Sequence, residues 1–305
     1  MLFNIAIIIA TIAGLWYGAT WIVESASNFA KKMGMSDLVI GLTIVAIATS
    51  APEFAVTVSA NLGGNESISV ANVIGSDIFN LGFILGIVAL FGGITITKQL
   101  LYRDGLFLLF AGGLLLIFFL DLRLSVFEGI VFAFLLAGYL IALAKMKRSL
   151  EEDIPSGHFK WYDIPKFLIG VGVIVLSAHY LVEASSGIAE SIGVSDWLIG
   201  ITIVAAGTSA PELATSVAAV IKGNHGMSIG NLIGSDLFNL LGVLGVAAIL
   251  KPLSITQSEL YNIFILVAAL IILLVMMRTR WKLGKTEGVI LLIIALIRWS
   301  VDLIT

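Results

Sequence analysis

The chain has 305 residues, of which 59% are hydrophobic and 12% charged, with a mean hydropathy of +1.08. This composition excludes an ordinary soluble domain and points to a protein that crosses the membrane many times. The net charge of −3 says little alone, and zero cysteines exclude disulfides, thiolate metal sites and cysteine nucleophiles.

A hydrocarbon core needs about 20 apolar residues per helix. In chain order, ten windows meet this: 2–23, 38–61, 68–92, 104–121, 124–144, 165–188, 197–221, 227–250, 259–277 and 286–304. The first has neither a basic flank nor a small-residue cleavage site, so it is predicted to be a retained span.

The second window contains ATSAPEF (48–54) and the seventh GTSAPEL (207–213). Pro52 has no N–H to offer the carbonyl of Ala48, and Pro211 none for Gly207, so each helix is expected to kink. Broken helices survive in lipid only where they line protein or a cavity. The freed carbonyls, the hydroxyls of Thr49, Ser50, Thr208 and Ser209, and the carboxylates of Glu53 and Glu212 form an oxygen-rich set. Such a set suits Ca²⁺, or Na⁺ at lower charge demand. The competing reading makes the prolines packing kinks and the glutamates buried and inert. Repetition argues against it, because a glutamate in hydrocarbon costs a few kcal/mol and is functional by default.

The third and eighth windows carry NVIGSDIFN (72–80) and NLIGSDLFN (231–239). Ser76 and Asn80 share a helix face, as do Ser235 and Asn239, and Asn72 and Asn231 extend those faces by one turn. All four Ser and Asn side chains are candidate ligands. Close helix packing at Gly75, Gly82 and Gly86, with Ser and Asn as interhelical glue, is the plainer alternative. Asp77 and Asp236 lie about 100° round from the serines. That position leaves open whether they are ligands or line a water-filled cavity and repel anions.

The fifth and sixth windows flank KMKRSLEEDIPSGHFKWYD (145–163), the one sizeable polar stretch and the natural linker. With ten spans, fourteen Lys and Arg residues fall on one side of the membrane and three on the other. The basic side should be cytoplasmic, which puts both termini outside and the linker inside. His158 and His225 fall in predicted loops and His179 stands alone in a span, so no zinc pattern is present. No nucleotide-binding loop follows a strand, so ATP-driven pumping has no support, and an intramembrane hydrolase built on Ser50 or Ser209 lacks a partnering His or Lys at membrane depth.

The chain also repeats itself. Glu53 and Glu212 are 159 residues apart, and the same offset superimposes 36–60 on 195–219 and 69–86 on 228–245 without a gap. Each unit (1–144 and 164–305) holds five windows. An odd number forces the second copy into the membrane inverted relative to the first, an architecture that places binding sites near mid-membrane.

GLTIVAIATSAPEF…GSDIFNLG and GITIVAAGTSAPELATS…GSDLFNLLG resemble the two α-repeats of the cation/Ca²⁺ antiporter superfamily, in particular prokaryotic Na⁺/Ca²⁺ exchangers. The resemblance covers nearly the whole chain. It implies an all-α membrane protein of ten transmembrane helices in two inverted five-helix repeats. It also implies a central Ca²⁺ site at Glu53 and Glu212 with backbone oxygens of Thr49 and Thr208. Flanking Na⁺ sites would use Ser50, Ser76, Ser209 and Ser235 with the carbonyls of Ala46 and Ala205, and Asn80 and Asn239 complete the set. Ca²⁺ and Na⁺ are then cargo, with no cofactor and no nucleic-acid partner expected, and membrane lipid as surroundings. Ca²⁺/H⁺ exchange and a cation channel are the alternatives. Ala48 departs from the motif's usual Gly. Asn239 stands where K⁺-dependent relatives carry Asp, which argues against K⁺ co-transport.

Overall fold

The computed structural model describes residues 2–145, 159–193 and 205–302, and these are almost entirely helical. The first half runs α1 (Leu2–Met33), α2 (Asp37–Thr49), α3 (Ala51–Leu62), α4 (Glu66–Gly92), α5 (Leu100–Asp121) and α6 (Val126–Lys145). The second runs α7 (Asp163–Ser191), α8 (Ala205–Thr208), α9 (Ala210–Ile221), α10 (His225–Leu250), α11 (Gln257–Arg280) and α12 (Lys285–Asp302).

Among the described residues, seven helices are long and apolar enough to cross a membrane, and α2 with α3 adds an eighth if that bent pair is one span. Two of the ten expected windows account for the difference. Residues 197–204 of the seventh window lie outside the described residues, which leaves the short α8 and α9. The tenth corresponds to α12, whose 18 residues include Lys285, Glu287, Arg298 and Asp302, too many charges for an apolar span by composition. Most of the expected 145–163 linker, residues 146–158, also lies outside the described residues.

Packing between the halves is reciprocal. Helix α1 runs along α7, α2 packs on α10, α6 on α10, α12 on α4, and α5 on α11. Two short antiparallel ladders tie the halves together. Ile94–Thr95 (β1) pairs with Lys282–Leu283 (β4), and Arg123–Leu124 (β2) pairs with Leu253–Ser254 (β3). Even the backbone exceptions correspond: Leu122 (φ 63°) and Trp281 (φ 54°), equivalent under the offset, are the non-glycine residues with positive φ among those described.

Close approach of α2 to α10 depends on glycine. A Cβ on Gly230 would sit 2.5 Å from the Leu38 carbonyl oxygen, and one on Gly234 2.7 Å from both Leu42 Cα and its oxygen. Gly82 and Gly86 serve the α4–α12 contact in the same way, where Ala295 Cβ and Leu292 Cγ lie 3.0 and 2.8 Å from the added carbon. The packing role expected of Gly75 is not seen, because its Cβ position meets nothing within 4 Å. Gly75 and its counterpart Gly234 thus occupy different environments despite identical flanking sequence.

Ion pairs at the helix ends join residues predicted to share a side of the membrane. Glu24 takes both Lys166 and Lys222, and Lys251 pairs with Glu66 at 2.8 Å. These pairs are partly exposed, so their contribution is registry more than stability.

Candidate metal centre

The break between α2 and α3 falls at Ser50, and the two segments meet at 47°. Ser50 (φ −81°, ψ 12°) leaves the helical region, and Pro52 then sits in the first turn of α3, where a missing N–H is tolerated. Ser209 repeats this (φ −87°, ψ 6°) with Pro211 in the first turn of α9. Each proline therefore starts a second helix as well as ending the first. That geometry puts Glu53 and Glu212 in the first turns of α3 and α9, where helix dipoles favour negative charge.

Both glutamates are fully buried. Glu212 Oε1 accepts from Ser50 Oγ at 3.0 Å and from Ser235 Oγ at 3.5 Å. Glu53 Oε1 accepts from Ser76 Oγ at 3.5 Å, and Ser209 lies beside the same carboxyl. Ser50 belongs to one half and Glu212 to the other, so the two broken helices meet across the repeat boundary. The second oxygen of each carboxyl, Glu53 Oε2 and Glu212 Oε2, is buried without a hydrogen-bond partner, as is Ser209 Oγ. Buried oxygens of this kind are normally bonded. Each half therefore keeps one buried carboxyl oxygen without a hydrogen-bond partner.

The other expected residues gather around this pair with differing roles. Thr49 and Thr208 are buried. The Thr49 hydroxyl contacts Asn231 Oδ1 at 3.1 Å, Ser235 Oγ at 3.4 Å and the Ala46 carbonyl at 3.3 Å. Ala46 O also accepts the Ser50 N–H at 3.0 Å, so it is already engaged by the helix. Ala205 begins α8, one turn before the Ser209 break. Asn80 and Asn239 are buried, and Asn80 opens a wide π-type turn (Asn80–Ile84) that Phe238–Val243 repeats in the second half. Turns of this type inside helices are frequent at functional sites.

Asn72 and Asn231, which the helix-face spacing grouped with these, belong to a scaffold. Asn72 Nδ2 donates to Thr57 Oγ1 and Asn231 Nδ2 to Ser216 Oγ, each at 3.0 Å. Ser69 Oγ donates to the Thr57 carbonyl at 2.9 Å, and Ser228 Oγ to the Ser216 carbonyl at 2.8 Å. These matched clamps lock α3 to α4 and α9 to α10. Thr57, Ser69, Ser216 and Ser228 were missed in the sequence, although each pair recurs at the 159-residue offset. Replacing Asn72 with Ala removes the donor to Thr57 and is expected to cost about 1–2 kcal/mol, read as a lowered melting temperature of the purified protein.

Asp77 and Asp236 do not line a water-filled cavity; both are fully buried. Asn239 Nδ2 donates to Asp77 Oδ1 at 3.0 Å and Asn80 Nδ2 to Asp236 Oδ1 at 2.9 Å, again across the halves. Among the described residues, no group of three or more acidic or histidine side chains converges as a metal site. The centre is built from carboxylate pairs and neutral oxygens.

The sodium/calcium exchanger protein family model matches residues 3–145 and 164–298. The chain is 32% identical to the sodium/calcium exchanger MaX1 of Methanosarcina acetivorans over 95% of both proteins. It is 31% identical to the inner membrane protein YrbG of Escherichia coli over 95% of this chain and 94% of that one. The fold is similar to a solved structure of the sodium-calcium exchanger NCX_Mj soaked with Na⁺ and Ca²⁺, with a TM-score of 0.87, 28% identity and 98% of each chain covered. A mostly helical, multi-pass chain with two broken helices meeting at paired buried glutamates, matched along nearly its whole length, belongs to the sodium/calcium exchanger protein family.

Proposed function

We propose that the chain exchanges Na⁺ for Ca²⁺ across the membrane by alternating access, with Glu53 and Glu212 as the shared centre. The observation that carries this is the pair of fully buried carboxyls, one from each sequence copy, each keeping one oxygen without a partner. Two ionised glutamates balance one Ca²⁺, and hydroxyls of Ser50, Ser76, Ser209 and Ser235 supply neutral oxygens suited to Na⁺. Thr49 and Thr208, the carbonyls of Ala46 and Ala205, and the amide oxygens of Asn80 and Asn239 complete the proposed ligand set. Full burial corresponds to an occluded state, closed to both sides.

The same reading makes the chain two inverted five-helix repeats, 1–144 and 164–305, joined by a cytoplasmic linker at 145–163. Reciprocal packing between the halves supports it, as do the crossed β1–β4 and β2–β3 ladders. So do the Glu24–Lys166–Lys222 and Lys251–Glu66 pairs, whose members fall on matching sides in the ten-span order. Both termini then face outward.

Antiport requires that the empty core not cross. Bare carboxylates facing hydrocarbon supply that barrier, because stripping their water is expensive. If three Na⁺ exchange for one Ca²⁺, each cycle moves one net charge and responds to voltage by about 2.3 kcal/mol per 100 mV.

Reconstituted vesicles separate the counter-ions. Loaded with Na⁺ at equal pH on both faces, they are expected to take up Ca²⁺ in a saturable manner. Loaded with acid and no Na⁺, they are expected to take up none. Uptake driven by protons alone would make the chain a Ca²⁺/H⁺ exchanger, and unitary current steps without counterflow would make it a channel.

A further inference from the structure

We propose that Glu24 and Lys222 latch the cytoplasmic mouth of the chain, which makes its two mouths unequal and sets which face opens more readily. This rests on the exchange reading and its orientation, and adds to them two positioning residues outside the ion-binding centre.

Two cavities at opposite ends of α1 and α7 correspond in position and differ in chemistry. One, of about 520 Å³, is lined by Glu24, Ser27, Asp163, Lys166 and Lys222. The other, of about 540 Å³, is lined by Asn4, Ile7, Glu183 and Ser186. The 159-residue offset pairs Glu24 with Glu183, Ser27 with Ser186 and Asp163 with Asn4. It also pairs Lys166 with Ile7 and Lys222 with Gly63, so the outer glutamate lacks both cations. Glu24 Oε1 takes Lys222 Nζ at 2.6 Å and its Oε2 takes Lys166, whereas Glu183 forms no ion pair among the described residues. Backbone conformation does not demand the glycine. Gly63 has φ −74° and ψ −3°, Lys222 has φ −82° and ψ 1°, and negative φ of this kind is open to any side chain.

Packing differs between the two ends in the same sense. The Glu24–Lys222 pair joins α1 to the end of α9, and Asn224 Nδ2, just beyond Lys222, donates to Ser27 Oγ of α1 at 2.7 Å. Here α1 covers α9, and Ala218 and Ala219 are buried in one cluster with Ile22, Ala26 and Ala30. At the other end α7 makes no comparable contact with α3 among the described residues. Ser59 and Ala60, the counterparts of Ala218 and Ala219, are exposed and half-buried. Glu53 and Glu212 remain buried, so the centre is occluded while one end is clasped and the other parted. A partly exposed ion pair adds little to the stability of the fold. It nonetheless biases two states of similar energy when only one of them makes the pair.

The chain has no cysteine, so one introduced thiol reports on each mouth. Ala218→Cys and Ser59→Cys are labelled separately with a polar maleimide in purified full-length protein. Removing the latch with Glu24→Gln or Lys222→Gly is expected to speed labelling of Ala218→Cys about two- to fivefold, the range a partly exposed ion pair supports. Labelling of Ser59→Cys is expected to slow, and Lys222→Arg, which keeps the charge, to leave both rates near those of the unlatched protein's parent. Unchanged rates in both monodisperse latch variants would overturn the proposal. Faster labelling at both thiols would overturn it too, because that reports general loosening and not a switch between mouths. If Ala218→Cys does not give monodisperse protein, Ala219→Cys on the same covered face takes its place. Na⁺-driven Ca²⁺ uptake by the wild type is measured alongside. Uptake with unchanged labelling leaves the exchange reading standing without the latch, and absent uptake removes the exchange reading and the latch with it.

Discussion

Replacing either Glu53 or Glu212 with Gln is expected to reduce Na⁺-driven Ca²⁺ uptake to the level of empty vesicles. Glutamine keeps the shape and one oxygen but removes the charge. It also turns an acceptor into an N–H₂ donor aimed at the place where a cation must sit. A Ca²⁺ bound there would then sit in a fully buried setting with half of its compensating carboxylate charge. Losing one partner of a buried charged interaction costs about 2–5 kcal/mol, or about 30-fold to several thousand-fold in apparent affinity. The two variants should be similarly impaired, because each carboxyl contributes one orphan oxygen. Ser50→Ala is expected to be milder, since Glu212 keeps its longer bond from Ser235. Uptake measured against external Ca²⁺ concentration checks the ranking. Wild-type affinity in either glutamate variant would remove that residue from the centre.

Enlarging Gly234 is expected to disable the protein by a different route. The space beside its Cα is filled by backbone and a short side chain: Leu42 Cα and O at 2.7 Å and Ala46 Cβ at 2.8 Å from an added Cβ. None of these can rotate away. A side chain there must push α2 off α10, and α2 carries the Ser50 break. Overpacking of this kind costs about 1–3 kcal/mol for modest additions, so Gly234→Ala should lower thermal stability and Gly234→Leu should prevent recovery of monodisperse protein. Gly75→Ala is the internal control. Its site is open, and removing a mid-helix glycine should be neutral or stabilising by about 0.5–1 kcal/mol. Thermal unfolding in detergent distinguishes the two positions. Equal behaviour would show that the α2–α10 contact does not depend on close approach.

These two glycines also mark how far the sequence could be read. The 159-residue offset pairs Gly75 with Gly234 and assigns them one role, yet only Gly234 is packed. Copies with the same local sequence face different neighbours, and the neighbours are tertiary information. The glutamates were legible because two defects, a proline and a charge, coincide twice in an apolar run. The residues that hold them were legible in part. Ser50, Ser76 and Ser235, expected as ion ligands, bond to the glutamate carboxyls, whereas Asn72 and Asn231 brace neighbouring helices. Helix-face arithmetic says which residues share a side, not which partner lies opposite.

Asp77 and Asp236 resisted for the same reason. Their partners, Asn239 and Asn80, lie in the other half, and a cross-half bond leaves no mark in either helix alone. Among the described residues, two of the expected spans are divided in composition. A run broken at Ser50 and a terminal helix with four charged residues both fall short of a simple apolar span. The broken run is also where the candidate centre lies.

The most direct measurement is an anomalous difference map from crystals of this chain soaked in Ca²⁺ without Na⁺. A peak bonded to both Glu53 and Glu212, and lost in Glu212→Gln crystals, is the predicted result. A well-occupied peak elsewhere, with those two carboxyls turned apart, would contradict the account.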